Sequence, residues 1–147
     1  MPRVLKLDHV GITVADLEAA TDFFLGLGLE VAGRHDGLEG EFLDTVCGLH
    51  NARTRIVMLN VPGTEQQIEL SSFIRPGHGP GQPEAMATEV GLRSLAFVVD
   101  DLPALVDQLR SAGYGLVGGI GEYEGVWRMA YVRGPEGIIV ALAQRLD

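Results

Sequence analysis

The feature that most limits how this chain can fold is the repetition of one stretch of its sequence. Residues 9–28 and residues 94–113 match without a gap, at an offset of 85 positions. In each copy an alternating apolar run leads to an aspartate, Asp16 or Asp101, and then to apolar residues at helical spacing. This pattern is typical of a β-strand followed by an N-capped amphipathic helix. The chain is therefore predicted to contain two copies of one structural module.

Each copy continues into further strand-like runs. Runs 55–59 and 67–71 in the first half resemble runs 128–132 and 139–143 in the second half. A return strand after each helix completes the pattern, so each half is predicted to be one strand, one helix and three strands.

The first half carries an extra stretch at about 37–51. In it Phe42, Val46 and Leu49 have helical spacing, which predicts a short helix or a structured flap. Cys47 lies among these apolar residues and is expected to be a packed small hydrophobic side chain.

A stretch rich in proline and glycine separates the two halves. It covers about 75–90 and has little apolar content, which predicts an exposed linker. The prediction is one domain over 1–147, with module one at about 5–74 and module two at about 91–145.

The composition narrows the class of protein. The formal net charge of -9 argues against a nucleic-acid partner, because phosphate binding needs a basic surface. No apolar run approaches the length that would span a membrane, and no signal peptide is recognised. The single cysteine permits no disulfide within the chain. We expect a cytoplasmic protein.

Two motifs carry a resemblance to a known family. The chain has Asp-His-Val-Gly-Ile-x-Val-x-Asp-Leu at 8–17, and Ile-Glu-Leu at 68–70 closes module one. With the repeat, these motifs resemble the vicinal oxygen chelate superfamily, which includes glyoxalase I, extradiol dioxygenases and bleomycin-resistance proteins. The resemblance covers about 7–144. It implies an α+β fold of two tandem βαβββ modules that form a curved mixed sheet around a cleft, and a homodimer.

The resemblance also implies a metal site, which this sequence matches only in part. In the family, a divalent metal is held by one residue from the first strand and one from the last strand of each module. His9 and Glu69 match these positions in module one, whereas Ser94 and Ala141 occupy them in module two. A Zn, Mn, Fe or Mg ion would be weakly held or absent. An extra ligand could come from Glu122, Tyr123, Glu124, Glu41 or Asp44.

Strand alternation predicts which side chains line the cleft. Module one would contribute polar side chains, namely His9, Thr13, Gln67, Glu69 and Ser71. Module two would contribute small and apolar ones, namely Ser94, Ala96, Val98, Ile139, Ala141 and Ala143. Trp127 is a candidate for the cleft wall, and Tyr123 and Glu124 are candidates at its mouth. The ligand is therefore expected to be a small molecule with a polar end and an apolar end.

Three interpretations of His9 and Glu69 stay open. They are two ligands of a metal, or an acid–base pair that works without metal, or a structural pair with no reaction. A carboxylate beside an imidazole fixes its tautomer, which suits proton transfer next to a carbonyl.

The functional hypotheses follow from these interpretations. The leading one is a glyoxalase-like lyase or isomerase, in which His9 and Glu69 carry the reaction and Tyr123 and Glu124 assist. The alternative is a non-catalytic protein that binds an antibiotic-type small molecule. Dioxygenase chemistry is disfavoured, because Ser94 replaces a histidine that an iron site in this fold would use.

Overall fold

The computed structural model describes residues 1–147, which divide into two compact units, Met1–Pro80 and Gly81–Asp147. The first unit contains one four-stranded mixed sheet in the order β1-β4-β3-β2. Its elements are β1 (Val10–Thr13), α1 (Leu17–Gly26), β2 (Glu30–Glu39), α2 (Glu41–Cys47), β3 (Arg53–Asn60) and β4 (Gln67–Arg75).

The second unit repeats this arrangement. Its sheet has the order β5-β8-β7-β6, and in both sheets the first strand runs parallel to the last. Its elements are β5 (Ser94–Val98), α3 (Leu102–Ser111), β6 (Gly121–Tyr123), β7 (Trp127–Arg133), a short 3-10 turn (Pro135–Gly137) and β8 (Ile139–Arg145). The predicted tandem βαβββ fold is confirmed. No helix is long and apolar enough to cross a membrane.

The repeated sequence signals make the repeated contacts. The Asp16 side chain accepts a hydrogen bond from the backbone N–H of Ala19 at 3.0 Å, and Asp101 does the same for Ala104 at 3.1 Å. Each aspartate thereby satisfies a backbone donor that the first turn of a helix leaves unpaired. Both helices then end before a glycine with positive φ, a conformation that costs glycine little.

Burial fixes which face of each sheet meets its helix. In the first unit, the side chains turned toward α1 are almost completely buried; they include Val57, Leu59, Ile68 and Leu70. Burying each such side chain stabilises the fold by about 1.5–3 kcal/mol. A shift of one residue in strand register would expose the whole set. Burial of this face therefore also determines which side chains lie on the opposite face of the sheet.

The inserted stretch contains the expected short helix, but the buried side chain is a different one. Leu43 is the buried residue of α2, whereas the stripe of Phe42, Val46 and Leu49 is exposed. The expectation that Cys47 is packed is wrong, because its thiol is exposed. The carboxylate of Asp44 accepts from the two backbone amides just before β3, those of Asn51 and Ala52, at 2.9 and 2.8 Å, and this ties α2 to the start of β3.

Part of the stretch between the repeats lies against the second unit. One guanidinium nitrogen of Arg133 donates to the backbone oxygens of Pro83 and Ala85, at 3.2 and 2.8 Å. Gly137 makes room for this segment, since a Cβ built there would lie 2.2 Å from the Pro83 oxygen. These contacts hold residues 83–85 against the end of β7 and the connection that follows it.

Candidate functional site

The candidate site lies on the face of the first sheet turned away from α1, here called the distal face of sheet one. Strand pairing defines its rows. One row consists of Gly11, Glu69, Met58 and Gly33. The next consists of Thr13, Ser71, Ile56 and His35. The opposite face meets α1, as shown by the 2.6 Å bond from Arg55 to Glu18.

An imidazole lies between two carboxylates at the edge of this face. Nδ1 of His9 lies 2.7 Å from Oδ2 of Asp8, and Nε2 lies 3.6 Å from Oε2 of Glu69. The side chains of His9 and Glu69 are 33% and 27% exposed, so both are accessible to a small molecule. The predicted pair is therefore brought together, with a third residue that sequence reasoning missed.

The contact with Asp8 determines how the ring is protonated. The hydrogen bond from His9, assisted by the charges of His9 and Lys6, holds the pKa of the Asp8 carboxyl below its usual value of 3.8. Asp8 is therefore ionised at neutral pH and can only accept, so Nδ1 of His9 carries the proton in this contact. A neutral ring then has its lone pair on Nε2, which is the nitrogen nearer Glu69. This tautomer suits a general base.

Asp8 was missed for a physical reason. Alternation places neighbouring residues on opposite faces of a strand, so it assigns Asp8 and His9 to different sides. The first strand begins only at Val10, and the backbone before it is irregular. The signal that was available is the Asp-His dipeptide immediately before a strand.

The other polar side chains expected from module one lie on the same face. Thr13 pairs with Ser71, one row beyond Glu69, and Gln67 pairs with Asn60 on the other side of it. Ser71 is mostly buried, at 8% exposure, and Gln67 is partly exposed.

The second sheet has its own distal face, turned away from α3. One row of this face consists of Ala96, Ala141 and Tyr131, and a second of Val98, Ala143, Met129 and Gly121. Ser94 pairs with Ile139 at one end. This face is small and apolar near β5 and β8, and bulkier on β7.

Three residues named from the sequence lie at the other end of the second sheet. Trp127 pairs with Tyr123, and its ring lies 5.2 Å from the Arg145 guanidinium, within the range of a cation–π contact. Tyr123 is 64% exposed at the end of β6. Glu124 follows in the turn to β7 with a φ of 51°, and it is exposed.

Comparisons with known proteins agree with this architecture. The family model of the Glyoxalase/Bleomycin resistance protein/Dioxygenase superfamily matches residues 6–142. The chain belongs to this superfamily. The resemblance found in the sequence is thereby confirmed, whereas no curated protein matches the chain.

Several solved structures are similar to the chain over nearly its whole length. A glyoxalase family protein from Bacillus cereus is 35% identical, with a TM-score of 0.94 over 99% of this chain and 97% of that one. The trypanothione-dependent glyoxalase I of Leishmania major is 21% identical, with a TM-score of 0.64 over 96% and 87%. An antibiotic binding protein from Streptomyces is 18% identical, with a TM-score of 0.66 over 99% of both chains. The last two show a shared fold.

Proteins of this superfamily often use a divalent metal, which needs a set of donor side chains around it. No group of three or more His, Cys, Asp or Glu side chains is placed to hold an ion. Divalent metal sites usually take three or more protein ligands. Ser94 and the buried Ala141 offer neither imidazole nor carboxylate where the family has ligands. The residues of this chain do not fit such a centre.

The additional ligands considered from the sequence have other roles or positions. Glu122 accepts from Arg128 at 3.0 Å, and Asp44 is held by two backbone amides. Glu41 begins α2 beside an open cavity of about 690 Å³ that Asp44 and Arg75 also line. Tyr123 and Glu124 belong to the second unit.

Proposed function

We propose that the chain is a small-molecule enzyme of the glyoxalase type that transfers a proton next to a carbonyl group, as an isomerase or lyase. The observation that carries this proposal is the Asp8–His9–Glu69 arrangement on an accessible sheet face. An ion pair this exposed contributes little to stability, because solvent screens its charges. Structural stabilisation is therefore a weak reason for two carboxylates to share one imidazole.

His9 would act as the base. Its Nε2 takes the proton from the carbon next to the carbonyl, and the electron pair of the broken C–H bond moves toward the carbonyl oxygen. The ring becomes an imidazolium, whose Nδ1–H keeps its hydrogen bond to the Asp8 carboxylate. Return of the proton to a different carbon or face gives isomerisation, and loss of a neighbouring leaving group gives elimination.

The developing oxygen anion needs hydrogen-bond donors. The hydroxyl of Thr13 and the amide of Gln67 flank Glu69 on the distal face of sheet one, and both groups can donate. Donors fixed in advance where charge develops stabilise the transition state more than the ground state.

The test follows deuterium incorporation from heavy water into small ketones by NMR, with methyl butyl ketone as the simplest probe. We expect His9→Ala to lower the rate about 100-fold or more, the usual contribution of a general base. Glu69→Gln should lower it by a smaller factor. His78→Ala, in an exposed loop, is the matched control. Exchange that persists in correctly folded His9→Ala would overturn the proposal.

A second function is supported by the distal face of the second sheet. The exposed Ala96 and the partly exposed Ala143, with Met129 and Tyr131, form a surface suited to an apolar or aromatic ligand. This favours an antibiotic-type binding protein, for which the acidic net charge would prefer a cationic ligand. Saturable binding of a cationic aromatic dye, quenching Trp127 fluorescence without proton exchange in any ketone, would support this alternative. A homodimer and a cytoplasmic location stay predictions.

A further inference from the structure

A second histidine lies on the distal face of sheet one. His35 pairs with Ile56 on β3, which pairs in turn with Ser71 on β4. Residues paired across neighbouring strands project to the same side of a sheet. His35 therefore shares a face with Glu69, although it lies on β2, before the inserted stretch, and in neither family motif.

The residues next to His35 in the chain give independent support for placing its side chain on the distal face. The Glu18 carboxyl on α1 has a lowered pKa, chiefly through its hydrogen bond from Arg55 and to a smaller extent through the charge of Arg34. Asp36 in turn contributes to raising the pKa of Arg55, after the larger effect of Glu18. Arg34 also pairs with Val57, whose side chain is buried on the α1 side, so Arg34 projects to that side and the next residue, His35, to the distal side.

A backbone contact fixes which nitrogen of His35 is available. The N–H of Gly37 donates to Nδ1 of His35 at 3.2 Å. A nitrogen that accepts carries no proton, so the neutral ring has its proton on Nε2. His35 therefore offers an N–H donor to a ligand.

Two of the four residues in the row that contains Glu69 are glycines, so few side-chain atoms project from the sheet surface between Glu69 and β2. Gly11 and Gly33 lie at the two ends of the row that contains Glu69 and Met58, and a Cβ built on either glycine meets nothing within 4 Å. Strands lie about 4.8 Å apart, so β4 and β2 are separated by about 10 Å. A short chain of carbon atoms lying over Met58 can span this distance.

We propose that His35 binds a second oxygen of the ligand, through its Nε2–H, while the first carbonyl accepts from Thr13 and Gln67 beside His9 and Glu69. This rests on the proposed function and specifies the ligand class as a compound with two oxygen-bearing groups joined by a short carbon chain. The second group is a neutral acceptor such as a ketone, since the carboxylates of Asp8 and Glu69 repel an anion on this face. His35 is a binding residue.

The test compares two ketones with the same six-carbon chain. Acetonylacetone has a second carbonyl, and methyl butyl ketone has one only. In the unmodified protein we expect acetonylacetone to be exchanged about three- to tenfold more efficiently, the effect of one neutral hydrogen bond. His35→Ala should abolish this preference, and His35→Gln, which keeps a donor, should retain part of it. His50→Ala, a second exposed histidine, should leave it unchanged.

The outcomes separate this inference from the proposed function. A preference that survives in His35→Ala, or a loss of equal size for both ketones, overturns the role of His35 and leaves proton transfer intact. If neither ketone is exchanged, the proposed function fails. The NMR resonances of the His35 ring then test whether His35 binds the second oxygen. Shifts produced by acetonylacetone and not by methyl butyl ketone support the binding role, and equal or absent shifts overturn it.

Discussion

Nδ1 of His9 lies 2.7 Å from the carboxylate of Asp8, the residue that immediately precedes it in the chain. The irregular backbone before β1 allows this contact between neighbours, because in a regular strand the two side chains would diverge. The contact fixes the tautomer and leaves Nε2 facing Glu69. The proposed proton transfer by His9 would thus depend on a residue outside the sheet.

Asp8→Asn is expected to lower the proton-exchange rate about tenfold and to leave folding unchanged. The amide keeps the size of the side chain and removes the negative charge that favours the imidazolium. The loss is smaller than for His9→Ala, because Asp8 is 77% exposed and solvent screens its charge. NMR exchange with methyl butyl ketone measures the effect. Asp22→Asn, on an exposed position of α1, is the control and should match the unmodified protein.

The titration of Asp8 should itself report the contact. Its carboxyl pKa is lowered by the hydrogen bond from His9, so the carboxylate form is favoured in the folded protein. The stabilisation is therefore fully present above the unfolded pKa and is lost as the pH falls through the lower folded pKa. NMR of the Asp8 carboxyl carbon should give a midpoint below 3.8, which returns toward 3.8 in His9→Ala. An unchanged midpoint in that variant would contradict the contact.

The two aspartate caps should have equal effects on stability. Asp16→Ala and Asp101→Ala each remove a hydrogen bond to the backbone N–H of the third residue after the cap, at 3.0 and 3.1 Å. We expect each to lower the free energy of unfolding by about 1 kcal/mol. Urea denaturation followed by circular dichroism measures this. Asp16→Asn and Asp101→Asn preserve a capping oxygen and should recover most of the loss.

The sequence predicted the parts of the fold and the site that follow from regular periodicity. The repeat, the caps at Asp16 and Asp101, and the shared face of Thr13 and Glu69 all depend on strands and helices of regular geometry. Spacing within the chain is enough to identify such features.

What the sequence did not predict lies where regular geometry is interrupted. His35 follows one irregularity in β2 pairing, between Val31 and Gly33, and precedes another, between His35 and Leu38. Each bulge inserts a residue and reverses the alternation, so the face of His35 cannot be read from spacing. The contact of Asp8 depends on backbone outside any strand. Both depend on local distortions that carry no periodic signal.

Gly137→Ala is expected to destabilise the second unit. A Cβ at this position would lie 2.2 Å from the backbone oxygen of Pro83, and Gly137 has a φ of 83°, which disfavours other residues. We expect a loss of about 1–3 kcal/mol in the free energy of unfolding, measured in urea. Gly118→Ala, in open space, is the control. If the two variants are equally stable, the segment around Pro83 is not held against the second unit.

Removal of divalent metal is expected to leave proton exchange unchanged. The imidazole of His9 and the carboxylate of Glu69 are two ligands, and no third His, Cys, Asp or Glu side chain joins them in a metal-binding group. Two ligands hold an ion weakly, because these metals usually take three or more from the protein. Dialysis against a chelator, followed by NMR exchange with methyl butyl ketone, should give the same rate before and after. Adding zinc or manganese should restore nothing, whereas a rate that falls on dialysis and recovers with one metal would assign His9 to an ion and not to proton transfer.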